Sequence, residues 1–181
     1  MRKNPVLIVI DVQKGFLDEK WGNSNNPDCE SNINKLLNMW RDAKYPVVLV
    51  RHDSVSPESP LRPGQTGNDF QDGINGSHDL LVSKTVNSAF YGTPSLEHWL
   101  NLNSYSELYI CGITTNHCCE TTARMAGNLG YKVKFILDAT KTFDFIDLAG
   151  NRVSAESVYQ MTATNLNGEF AEVTFTSNVS L

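Results

Sequence analysis

Six runs of consecutive apolar, largely β-branched residues recur along the chain, and they limit it to very few architectures. They are PVLIVIDV (5–12), YPVVLVRHD (45–53), DLLVSK (79–84), ELYICGI (107–113), YKVKFILDAT (131–140) and the weaker EVTFT (172–176). A strand with one wet face alternates apolar and polar residues; the stronger of these runs do not, so they read as strands buried on both faces. Helix-period segments lie between them. Residues 31–43 place Ile33, Leu36, Leu37 and Trp40 on one face. Thr93-Pro94 reads as a cap followed by proline at the first helical position, opening a helix to Leu102. A third helix is predicted over 116–130, with Gly130 as its stop, and a fourth over 154–166. Ser154 can cap the fourth, although Ser157 stands where a capping box has Glu or Gln. Strands alternating with helices predict an α/β fold: a three-layer αβα sandwich, Rossmann-like, around a mostly parallel six-stranded sheet with 172–176 at its edge. The 181 residues suit a single domain, 1–181.

Residues 54–79 break the rhythm. They hold Pro57, Pro60 and Pro63 and four glycines, and read as a long surface loop of the kind that forms a lid or a partner contact.

Charge and composition exclude several function classes. The net charge is −5 and no run of Lys and Arg offers a phosphate-binding face, so no nucleic-acid partner is expected. No stretch approaches the roughly 20 apolar residues of a membrane helix, and the apolar start ends at Asp11, too short for a signal peptide. A cytoplasmic protein without a membrane partner is the expectation. Cys29, Cys111, Cys118 and Cys119 show no framework spacing and no CxxC pair, so reduced thiols are expected.

Ligands of an open parallel sheet bind beyond the carboxyl ends of its strands. Asp11 lies at the first such end, His52 and Asp53 at the second, Lys84 at the third, the Gly112–Cys118 turn at the fourth and Asp138 near the fifth. An acid, a lysine and a thiol therefore converge on one edge. Each has an ordinary alternative: Asp11 as a turn cap, Lys84 as a solvated lysine, the cysteines as small buried hydrophobes. Together they describe a nucleophile, its base and a cation to steady both. A cysteine in the first turn of a helix meets unpaired N–H groups and the positive end of the helix dipole, which favour thiolate and can hold an oxyanion. Helical spacing does not separate the two cysteines, since Cys119 aligns with Ala123 and Ala126 and Cys118 with Thr122 and Met125; nearness to the turn favours Cys118. His52, Asp53 and His117 raise a metal site, because histidine and carboxylate are zinc ligands. Adjacent strand residues point to opposite sides, however, and His78 and His98 lie far off, so no metal and no other cofactor is expected.

Four stretches resemble a known family. VLIVIDVQKGFLD, SPLRPGQTGNDF, SKTVNSAFYGT and CGITTNHCCETTARMAGNLGYKVKFILDAT are similar to the segments of the isochorismatase-like cysteine hydrolases, which include nicotinamidases and carbamoylsarcosine amidase. The resemblance spans about residues 5–140 and implies a small-molecule substrate, a homo-oligomer (dimer or tetramer) and a triad of Asp11, Lys84 and Cys118. Gly112, Thr115 and Cys118 fit the family spacing, which makes Cys118 the implied nucleophile; Cys119 falls where the family has an apolar residue. It also implies a cis Ile113–Thr114 peptide and an oxyanion hole from the Thr114 and Cys118 N–H groups. Phe16, Phe90, Tyr91 and His117 are pocket candidates on position alone. The loop RHDSVSPESPLRPG lacks the aspartate and histidine pattern of a nicotinamidase metal site, and Cys118 argues against the vinyl ether chemistry of true isochorismatases. The streptothricin hydrolase-like branch is a resemblance at lactam opening. The expected activity is hydrolysis of an amide, lactam or ureido C–N bond through a thioester. The alternatives are a catalytically silent binding or assembly module, an isochorismatase-type hydrolase, or a redox protein using Cys118–Cys119, whose vicinal disulfide would be geometrically poor in a helix.

Overall fold

The computed structural model describes residues 4–181. Six parallel strands form the central sheet: β1 (Val6–Ile10), β2 (Val47–His52), β3 (Leu80–Lys84), β4 (Glu107–Ile113), β5 (Lys132–Lys141) and, after a short antiparallel pair β6 (Phe145–Ile146) and β7 (Arg152–Val153), β8 (Glu172–Thr174). The strand order is β3-β2-β1-β4-β5-β8, with β8 on an edge. The helices are α1 (Cys29–Ala43), α2 (Leu96–Leu102), α3 (Glu120–Asn128) and α4 (Ala155–Leu166).

The unbroken apolar runs are explained by two cores, one on each face. Val6, Ile8 and Ile10 of β1 point into a core shared with α2, α3 and α4, whereas Leu7 and Val9 point into one shared with α1. All five are fully buried, the direct outcome of a period-2 strand covered on both sides. On α1, Ile33, Leu36, Leu37 and Trp40 make the stripe read from the sequence, and the Trp40 indole N–H donates to the Pro5 carbonyl. The result is the three-layer sandwich the sequence predicts.

Two local readings are corrected. The Thr93–Pro94 peptide is cis, and Thr93 exchanges backbone hydrogen bonds with Ser83 of β3 instead of capping a helix. The cap of α2 is Ser95, whose side chain accepts from the His98 N–H, so the helix begins at Leu96. The third helix does not start as a regular helix either: Thr115–Cys119 forms a wide π turn, closed by the Cys119 N–H on the Thr114 carbonyl, before α3 begins at Glu120.

The segment 54–79 is less of a surface loop than its prolines and glycines suggest. Ile74 and Leu61 are buried in the α1-side core, where a fully buried isoleucine contributes about 2 kcal/mol. The buried Asn68 amide donates to the carbonyls of His52 and Leu61 and to Asp53. The loop is tied down beside the carboxyl ends of β1 and β2.

Candidate active site

Four neighbouring strand ends build the site. β1 ends at Ile10, and Asp11 follows in a left-handed conformation (φ 53) that aspartate tolerates better than most residues. The Asp11 side chain is fully buried. β3 ends at Lys84, also buried. β4 leads through the cis Ile113–Thr114 peptide into the π turn that carries Cys118. Gly112 is needed just before that turn: its φ is +133, and a Cβ there would overlap the Ile10 carbonyl oxygen.

Lys84 is the hub. Its Nζ lies 2.6 Å from Asp11 Oδ2, 3.3 Å from Cys118 Sγ and 3.0 Å from His52 Nδ1. Asp11 Oδ1 is the buried side-chain oxygen left without a hydrogen-bond partner among the described residues. A bare carboxylate oxygen in a dry site is costly unless something is meant to use it.

The charges fit a resting thiol. Burial is the main reason the Cys118 pKa is raised, the Asp11 carboxylate raises it further, and the Lys84 ammonium opposes both. This differs from the sequence argument for a thiolate at a helix start: Cys118 is only 7% exposed and sits in a π turn, so desolvation outweighs backbone dipoles. For Lys84 burial favours the neutral amine, yet Asp11 and Cys118 overcome it and raise its pKa. For His52 burial and then the Lys84 charge lower the pKa from its ordinary 6.5.

Asp11, His52 and Cys118 each place one potential ligand atom within 4.8 Å of the others. The Lys84 ammonium bonds all three, so the centre of that group already carries a cation.

The other sequence candidates separate. Asp53 turns away from the cluster to pair with Arg51 (2.9 Å), and Asp138 accepts from Thr176 and Asn32 on the α1 side of β5. Phe16 is buried, tilted against Trp21 and stacked on Phe143 at centroid distances of 5.0 and 6.1 Å. Phe90 packs in the α3-side core with Cys118 and stacks on Tyr131 at 5.9 Å. Tyr91 is 71% exposed, and His117 is exposed with its ring edge-on to Phe145 at 5.4 Å. Cys119 is fully buried, with its thiol pushed well up by burial.

Sequence reasoning missed two contributors, Asn87 and Gln13, and weighed a third, His52, only as a metal ligand. His52 faces the cluster. Asn87 Oδ1 lies 3.8 Å from Cys118 Sγ. Gln13 holds His52 in place, its amide accepting from the His52 N–H (2.8 Å) and donating to the His52 carbonyl (3.0 Å). The available signal was position: Gln13 and Asn87 lie two and three residues beyond Asp11 and Lys84, and His52 ends β2, the strand between theirs.

No helix among the described residues is long and apolar enough to cross a membrane. The isochorismatase domain matches residues 5–176 of this chain. An uncharacterised isochorismatase family protein of Bacillus subtilis, YrdC, is 37% identical over 99% of this chain and 96% of its own length. Nicotinamidase 3 of Arabidopsis thaliana is 31% identical, covering 93% of this chain and 83% of its own. The crystal structure of an isochorismatase-family protein from Chromobacterium violaceum superposes with a TM-score of 0.92 at 40% identity, over 97% of this chain and 91% of the other. Sequence, fold and relatives agree, and the chain belongs to the isochorismatase family.

Proposed function

We propose that this family member is a cysteine hydrolase that opens a C–N bond of a small amide, lactam or ureido compound through a thioester. The observation that carries the reading is the buried Lys84 ammonium bonded at once to Asp11 and to Cys118, with the second Asp11 oxygen free. Asp11 takes the proton of the Cys118 thiol as sulfur attacks the carbonyl carbon, and the carbonyl π electrons move to oxygen. The Thr114 and Cys118 N–H groups would hold that oxyanion. As the tetrahedral intermediate collapses, the C–N bond breaks and Asp11 returns the proton to the leaving nitrogen. Water, deprotonated by Asp11, then attacks the thioester carbonyl; the C–S bond breaks, releasing the acid and restoring the thiol. Throughout, the ammonium keeps the anionic partner compensated, whichever of carboxylate and thiolate it is.

The catalytically silent alternative has no need of a buried Asp–Lys–Cys cluster with an open carboxylate oxygen. The substrate class is tested by incubating the protein with panels of small amides, lactams and ureido compounds. Amine release is followed, and acid-quenched protein is weighed for an acyl adduct on Cys118. Turnover with such an adduct, both abolished in Cys118→Ala, is expected. Amine release that survives Cys118→Ala would overturn the mechanism.

A further inference from the structure

His52 stands in the site without a part in the chemistry above. It neighbours Lys84 in the β2–β3 register, and its Nδ1 lies 3.0 Å from the Lys84 Nζ. An ammonium group has three N–H donors and no acceptor. Here those three donors face three acceptors: Asp11 Oδ2, Cys118 Sγ and His52 Nδ1. Since Nζ can only donate, Nδ1 must offer its lone pair, and the ring proton belongs on Nε2.

Resting on the hydrolase reading, we propose that His52 is a positioning residue: its neutral Nε2–H imidazole accepts the third hydrogen bond of Lys84 and fixes the ammonium so that its other two bonds reach Asp11 and Cys118.

Three observations support this. The Gln13 amide grips both backbone groups of His52, and Asn68 donates to the same carbonyl, so the residue is held from the main chain. The charged and titratable groups facing the ring are Lys84 from β3, Asp11 after β1 and Cys118 from the π turn, with Asp53 beside it in sequence. Burial and the Lys84 charge, the two largest of these influences, disfavour imidazolium, which keeps the lone pair available. Without that third acceptor, an ammonium in a mostly dry site would be left with an unused donor and freedom to rotate away from the sulfur.

Two measurements on the full chain test the proposal. The first is the tautomer and titration of His52 by nitrogen-resolved NMR, in wild type and in Lys84→Met. The expected result is a protonated Nε2, an unprotonated Nδ1 and a pKa that rises in Lys84→Met. A protonated Nδ1, or a titration unaffected by Lys84→Met, would overturn the proposal. The second is the rate of Cys118 alkylation by iodoacetamide at neutral pH in His52→Leu and His52→Asn. Asparagine can place an acceptor oxygen near the Nδ1 position; leucine cannot. His52→Leu should lower the rate about tenfold and His52→Asn should restore most of it. Equal rates in wild type and a folded His52→Leu would also overturn it. If wild-type Cys118 behaves as an ordinary thiol, the hydrolase reading fails, and the NMR result still decides the His52–Lys84 contact.

Discussion

The proton of Cys118 has two homes inside the site, and this sets an unusual pH dependence. With Asp11 as carboxylate, Lys84 as ammonium and Cys118 as thiol, the cluster is neutral. Moving one proton from sulfur to Asp11 leaves it neutral, with the same number of bound protons. Thiolate can therefore form without releasing a proton to solvent, and its population does not follow bulk pH while Lys84 stays charged. An ordinary thiol with pKa about 8.5 alkylates about 75-fold faster at pH 8 than at pH 6. Cys118 should change by less than about threefold over that range. Lys84→Met removes the cation that both arrangements share and the influence that lowers the Cys118 pKa. That variant should be slower at each pH, whereas Asp11→Asn, which removes the internal proton acceptor so that thiolate forms only by losing its proton to water, should regain the slope of about tenfold per unit. The assay is iodoacetamide alkylation with the modified cysteine located by peptide mass. A wild-type rate that climbs tenfold per pH unit would refute internal proton transfer between Cys118 and Asp11.

Further outcomes follow from other parts of the molecule. Gly112→Ala forces a Cβ into the Ile10 carbonyl at φ +133, where neither backbone can yield, and should cost about 3 kcal/mol or more in denaturant unfolding. Cys119→Val should leave Cys118 alkylation unchanged and shift stability by only about 1 kcal/mol, since Cys119 is a fully buried packing residue; loss of Cys118 reactivity in a folded Cys119→Val would contradict that. The native pKa of His52 lies below the ordinary 6.5 of the unfolded chain, so below that pH the unfolded state binds more protons. Stability should therefore fall as pH drops through 6.5 toward the native value, by up to about 1.4 kcal/mol per unit, and His52→Asn should flatten this limb in urea titrations.

What could be read from the residues alone was whatever repeats or lacks alternatives. The buried strands announce themselves because β1 must feed two cores, so Val6–Ile10 carries no polar residue at all. Asp11, Lys84 and Cys118 were legible because topology sends their strand ends to one edge. The start of α2 was misread because Thr93 and Pro94 supply every local sign of a helix start, while the Ser83–Thr93 backbone bridge, a tertiary contact, claims Thr93 for β3. The resting state of Cys118 was misread because helix-start dipoles are visible in sequence and the depth of burial is not. His52 was read only as a metal candidate, since alternation along β2 says that it and Asp53 face opposite ways, without saying which faces the chemistry. The anchoring of 54–79 depends on Asn68 and Ile74 meeting partners distant in the chain, and no periodicity encodes that.

The strand order gives the site a problem of reach. Lys84 ends β3, Asp11 follows β1, and β2 runs between them. Adjacent strands lie about 4.8 Å apart, so the two backbones are separated by about 10 Å, which must be bridged from the ends of two side chains. Aspartate can contribute little of that span, so the four-carbon stem of lysine supplies the rest, and it must cross the end of β2 to do so. His52 stands at that crossing. Positions 52 and 84 are thus coupled by simple length: shortening the lysine side chain by one methylene group would open the Asp11 contact before any charge was altered, and a bulkier occupant of position 52 would block the way across.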